Sequence, residues 1–215
     1  MHVLVCGGAG YIGSHMCLEL LAQGHRVTIL DNLSTGHAEA ALGTDLVRAD
    51  IRSDDLVTEL DRLKIDAVMH FSALSLVGVS MQAPSEYWQN NVFGTWRLLE
   101  AMREVGIRRF IFSSTAATYG NPQSAQIDES HPTQPINPYG HTKLAVEHML
   151  KDYAAAYGMQ SVSLRYFNAA GADPEGRIGE AHNPETHLIP NALRAASGAG
   201  PSLTIFGADY PTPDG

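Results

Sequence analysis

Residues 2–24 constrain the fold more than any other stretch of the chain. A short apolar run, His2 to Cys6, is followed by Gly7-Gly8-Ala9-Gly10-Tyr11-Ile12-Gly13. Ile12, Met16, Leu20 and Leu21 then recur at helical spacing as far as Gly24. The pattern reads as a strand, a glycine turn and a helix. Gly7, Gly10 and Gly13 have a physical task in such a turn. They permit a tight bend, let backbone N–H groups approach a pyrophosphate, and let the helix pack close to the strand. The spacing departs slightly from G-x-G-x-x-G, but the strand before it and the helix after it are both present.

The rest of the chain repeats this alternation. Strands are expected at Arg26 to Leu30, Leu46 to Ala49, Ala67 to Phe71, Ile107 to Phe112 and Gln160 to Leu164. Helices are expected at Asp54 to Leu63, Pro84 to Val105 and from Pro138 onward. Strand and helix in alternation imply an α/β fold with a doubly wound parallel sheet of the Rossmann type. After Asn168 the texture changes. Residues 171–185 are rich in Gly, Pro and charge, and a helix from His187 to about Ala196 and a strand from Ser202 to Phe206 follow. The expected division is a dinucleotide-binding domain over 1–168 and the incomplete start of a smaller substrate-binding region over 169–215.

Ligands of doubly wound sheets sit at the carboxyl ends of the strands. Arg26 to Leu30 ends in Asp31-Asn32, and an acidic residue about 20 positions after the glycines is placed to hold the adenosine ribose hydroxyls. A carboxylate there repels a 2′-phosphate, so NAD is expected rather than NADP. Tyr139 and Lys143 are four residues apart and share one helix face. A phenol is a poor base, with an ordinary pKa near 10. A lysine ammonium about 5 Å away, at an effective dielectric of about 20, favours the phenolate by roughly 3 kcal/mol. The pair is therefore expected to act as a general base beside its electrostatic activator. Taken alone, Tyr-x-x-x-Lys is a common accident of sequence.

Composition narrows the partners. The net charge of −9 argues against nucleic acid or an anionic membrane. No run has the apolar length of a membrane span, and no secretory signal is read at the N-terminus. Cys6 and Cys17 fall in apolar stretches, which suits buried free thiols in a cytoplasmic protein. Glu180, His182, Glu185 and His187 match no standard metal spacing and read as a solvated loop, so no metal is expected.

The motifs together identify a family. GGAGYIGSH (7–15), LDNLSTG (30–36), NNVFGT (90–95), FSSTAATYG (112–120), NPYGHTK (137–143), LRYFNAAGA (164–172), ETHLIP (185–190) and IFGADYPTPDG (205–215) resemble the extended short-chain dehydrogenase/reductase superfamily. Within it they resemble the UDP-glucose 4-epimerase family. That resemblance implies interconversion of UDP-glucose and UDP-galactose through a transient 4-keto sugar, with bound NAD as cofactor. It implies that Tyr139 is the base, that Thr115 holds the sugar 4-oxygen, and that Lys143 bridges the nicotinamide ribose. It places Tyr11, Ile12, Asp31, Asn32, Asp50, Ile51, Phe71, Ser72, Ala73, Asn90 and Phe167 around NAD, with Ser75 standing where some relatives carry lysine. Asn168, Leu188 and Phe206 are implied contacts of the substrate nucleotide. Dehydratases and decarboxylases of the superfamily carry acidic residues just after the Ser/Thr. Ala116 and Ala117 stand there and can neither protonate a leaving hydroxyl nor act as a base. The resemblance also implies a homodimer through the helices around 84–105 and 139–158, and a family that continues beyond Gly215. Two alternatives stay open: another UDP-sugar, such as UDP-xylose or UDP-N-acetylglucosamine, and an NAD-binding module without catalysis.

Overall fold

The computed structural model describes residues 1–205 and 207–209. The chain divides into two compact units, Met1–Ala169 and Ala170–Gly215. The first contains a six-stranded sheet: β1 (His2–Cys6), β2 (Arg26–Asp31), β3 (Asp45–Arg48), β4 (Ala67–His70), β5 (Arg109–Thr115) and β6 (Gln160–Tyr166). Every pairing is parallel, and the order is β3-β2-β1-β4-β5-β6. This is the doubly wound Rossmann order, whose direction reverses between β1 and β4.

Strand side chains alternate between two cores. On one face Leu4, Cys6, Leu30, Val68, Phe110 and Phe112 pack with Leu60, Leu98, Met102, Val146 and Leu150. These last come from α2 (Leu56–Leu63), α5 (Gly94–Val105) and α6 (Pro138–Tyr157). On the other face Val3, Val5, Val27, Ile29 and Met69 pack with Cys17 of α1 (Tyr11–Ala22). Burial on both faces is why β1 is an unbroken apolar run.

Two expectations about elements need correction, and one helix was not expected. The helix expected over 84–105 is α4 (Pro84–Tyr87), a π-helical turn at Trp88–Phe93, and then α5. A short helix unread in the sequence, α3 (Val77–Gln82), precedes it. Residues 202–205 are not in a strand, and Phe206 lies outside the described residues. The second unit carries α7 (Leu188–Ala196), close to the expected helix.

α6 starts and stops by local rules. Asn137, in extended conformation, accepts a hydrogen bond from the Gly140 N–H at 2.8 Å, and Pro138 opens the helix. Gly158, at φ 67°, ends it in the left-handed region.

Candidate active site

Two glycines hold the first turn close to the sheet. Gly7 has φ 78°, and a Cβ on it would lie 2.6 Å from the Ser72 nitrogen after β4. A Cβ on Gly13 would collide with the Gly7 carbonyl oxygen, so the start of α1 can rest on the turn only without a side chain. Gly10 differs: its φ of −86° is open to any residue. No side chain caps this end of α1, and no acidic residue stands in its first turn. A helix N-terminus in that state suits an anion.

Asp31 ties two loops together. One carboxylate oxygen accepts the Ala9 N–H at 3.0 Å and the other accepts the Leu33 N–H at 2.8 Å. The 32–37 segment then folds back, with the His37 N–H donating to the Ala9 carbonyl at 2.9 Å. Between the glycine turn, this segment and the loop after β4 lies a cleft at the point where the strand order reverses. Gly7, Gly10, Asp31, Asn32, Ile51, Phe71, Ser72, Ala73 and Asn90 all line it. Ser34, Thr35, Gly36 and Leu74 line it too, and the sequence reading did not place them there. The turn-forming run after β2 was the available signal. Of the other expected cofactor residues, Tyr11, Ile12, Gly13, Asp50, Ser75 and Phe167 are not among the lining residues. Gly13 acts through packing. Asp50 is engaged by Arg52 at 2.7 and 2.8 Å and by Asn32 at 3.0 Å, which holds its carboxyl well below the usual range. Phe167, just beyond β6, is 64% exposed.

One helix face carries the candidate chemistry. Tyr139, Lys143 and Glu147 recur every four residues along α6 and face Thr115, Ser113 and Ser114 of β5 respectively. The Thr115 hydroxyl stands beside the Tyr139 phenol and favours its ionised form. Lys143 Nζ donates to the Ser113 carbonyl oxygen at 2.7 Å. Ser114 donates its hydroxyl to Glu147 at 2.5 Å. Tyr87, itself buried, sets its ring edge-on to Tyr139.

Behind them Arg165 grips Glu147 at 2.6 and 3.0 Å and lies over the Tyr119 ring. Burial pushes the Glu147 carboxyl up, but the bonds from Arg165 and Ser114 outweigh it and leave it below the ordinary range. Asn91, in the π-helical turn, bonds both the N–H and the carbonyl of Leu74 at 2.9 Å and the Thr142 hydroxyl at 3.2 Å. It pins the loop after β4 to α6. Neither Glu147 nor Asn91 was singled out in the sequence, since each looks like an ordinary helix residue there.

The charge state of the pair departs from expectation. Burial raises the Tyr139 pKa above that of a free phenol, and the Thr115 hydroxyl only partly offsets this. Burial also lowers Lys143 to about 7. The lysine nitrogen lies 5.9 Å from the centre of the Tyr139 ring and donates to Ser113, and its lowered pKa leaves it only partly charged at neutral pH, which weakens its pull on the phenol. Activation of the phenol requires further positive charge or a rearranged lysine.

The match to a family model decides the classification. The model described as "NAD dependent epimerase/dehydratase family" matches residues 3–214. The chain belongs to that family. Among curated members, it is 56% identical over 216 residues to the UDP-glucose 4-epimerase of Halalkalibacterium halodurans, covering all of this chain and 65% of the relative. It is 53% identical over 215 residues to that of Rhizobium meliloti, covering all of this chain and 66% of the relative. The solved UDP-glucose 4-epimerase of Brucella ovis in complex with NAD is 51% identical, with a TM-score of 0.96 over 99% of this chain and 66% of the solved one. The chain thus spans about 65% of the length of the family members it matches. Ala116 and Ala117 follow Thr115 in a single 3-10 turn, so the family member described here has no acidic group at those positions.

Proposed function

We propose that the protein interconverts UDP-glucose and UDP-galactose by epimerisation at C4, with NAD held in the cleft. The observation that carries this reading is the convergence of Thr115, Tyr139 and Lys143 at the carboxyl end of β5, in the sheet whose reversal point forms the cleft. The identity of above 50% to UDP-glucose 4-epimerases over the whole chain supports the choice of sugar.

The residues present fit a dinucleotide. The uncapped start of α1 with its close-packed glycines suits the pyrophosphate. Asp31 and Asn32 suit the adenosine ribose, and Asp31 favours NAD over NADP. Phe71, Ser72, Ala73 and Asn90 extend the cleft from there, and Lys143 is assigned to the nicotinamide ribose. Bound NAD supplies a hydride acceptor and then a hydride donor for C4 of the sugar. Tyr139 takes the proton of the sugar 4-hydroxyl and returns it to the 4-oxygen. Thr115, whose oxygen already accepts the Ala117 N–H at 3.1 Å, keeps its hydrogen for an oxygen at the Tyr139 phenol. The missing acid at Ala116 and Ala117 leaves a 4-keto sugar without the groups that would dehydrate it.

The nucleotide of the substrate is assigned to Asn168, Leu188 and Phe206. Leu188 is 72% exposed at the start of α7. The second unit is read as part of a sugar-nucleotide region. A homodimer through the helices around 84–105 and 139–158 is supported by the exposed Trp88, Phe93 and Trp96 of the first of these stretches. A cytoplasmic location is supported by two free, buried thiols. No helix among the described residues is long and apolar enough to cross a membrane.

Incubation of the protein with UDP-galactose, without added NAD, should yield UDP-glucose. No interconversion by a preparation that carries stoichiometric NAD would contradict the reading. Calorimetric titration with UDP-glucose separates it from a module that only binds NAD, which would show no heat.

A further inference from the structure

The loop that the sequence presents as solvated gathers four metal-ligating side chains. Glu180, His182, Glu185 and His187 each offer a donor atom, and the four atoms lie within 4.8 Å of one another. The two carboxylates are not solvated: the Glu180 and Glu185 side chains are only 10% and 3% exposed. His187 Nδ1 lies 2.7 Å from one oxygen of Glu180 and 2.8 Å from one oxygen of Glu185. His182 Nδ1 lies 3.2 Å from the same Glu180 oxygen, and the two imidazole rings are 4.7 Å apart.

Hydrogen bonding alone serves this arrangement poorly. In any protonation state His187 Nδ1 carries at most one hydrogen, and two carboxylate oxygens compete for it, although the Glu185 oxygen also accepts the His187 backbone N–H at 2.8 Å. Two nearly buried carboxylates side by side call for a positive charge between them. The spacing also has a second meaning. With bonds of about 2.0–2.2 Å to nitrogen and oxygen, neighbouring ligand atoms around a cation sit roughly 3.0–3.5 Å apart. The contacts of 2.7, 2.8 and 3.2 Å are close to such edges.

We propose that Glu180, His182, Glu185 and His187 form a binding site for a first-row divalent transition cation. Two imidazoles and two carboxylates suit Zn2+ and its neighbours rather than Ca2+ or Mg2+. Four protein ligands make a closed, structural site, which fixes the 180–187 loop directly before α7. No step of the proposed epimerisation passes through it.

Zn2+ is the probe. Chelator-treated protein titrated with ZnCl2 should bind one equivalent. His182→Ala and His187→Ala should each weaken binding about 100-fold or more, and His148→Ala, an exposed histidine on α6, should not. A second readout needs no variant. Zn2+ should protect His182 and His187, but not His148, from acylation by diethylpyrocarbonate, read by mass spectrometry. No saturable binding, undiminished binding in both alanine variants, or equal labelling of the three histidines with and without Zn2+ would overturn the proposal. Loss of epimerase activity plays no part in the test, so its result stands apart from that of the proposed function.

Discussion

Lys143 donates to the carbonyl oxygen of Ser113 at 2.7 Å, and that bond holds a buried amine under the base it is proposed to serve. Its position has an energetic cost. Burial lowers its pKa to about 7, so at neutral pH and below folding must desolvate an ammonium. The unfolded chain keeps that proton up to about pH 10.4. Between pH 7 and that value the unfolded state binds more protons, and stability rises with pH.

Lys143→Met should therefore stabilise the fold most at low pH. The gain in Tm over wild type should amount to several degrees at pH 6.5, at about 2–4 °C per kcal/mol, and should shrink toward pH 9.5. Thermal scans of both proteins across that range check it. A gain that is constant with pH would show that Lys143 carries no pKa shift.

Arg165 keeps Glu147 ionised in a buried position, and Glu147 holds Ser114 beside Thr115. Arg165→Ala leaves that carboxylate without its partner and should cost about 3 kcal/mol, measured by urea unfolding. Turnover should fall as well, because the β5–α6 register sets the Thr115–Tyr139 contact. Glu147→Gln keeps the shape and should cost less.

Much of this was legible in sequence, for physical reasons that differ from residue to residue. Gly7 and Gly13 were readable because close backbone approach leaves few substitutes, and Asp31 because it ends a strand. Tyr139 and Lys143 were readable because a four-residue spacing fixes a shared helix face. Their relative charge was not, since it depends on burial and on the carbonyl that Lys143 meets. The break at Trp88–Phe93 was hidden because a π-helical turn keeps a helical apolar pattern. The convergence of Glu180, His182, Glu185 and His187 was hidden because irregular backbone has no period to reveal which side chains meet.

Asp31 holds the Ala9 and Leu33 N–H groups and is proposed to bind the cofactor as well. Asp31→Ala should weaken NAD at least tenfold in a calorimetric titration. It should also lower stability by about 1–3 kcal/mol, since the Ala9 and Leu33 N–H groups lose their acceptor. Weakened NAD with unchanged stability would mean that water replaces the carboxylate in both bonds.

Lys143→Ala should shift the rate–pH profile to the alkaline side and recover part of its activity at high pH, if the lysine cation assists the phenol once NAD and substrate are bound. Identical apparent pKa values in wild type and variant would reduce Lys143 to a clamp for the ribose.

The central claim is that Tyr139 moves the proton of the sugar 4-hydroxyl at an NAD site. The most direct measurement is the rate of UDP-galactose conversion to UDP-glucose by Tyr139→Phe, alongside its NAD content. NAD content should equal that of wild type, and turnover should be lower by roughly 10²–10⁴, the usual contribution of a general base. Turnover equal to wild type with NAD bound would contradict it.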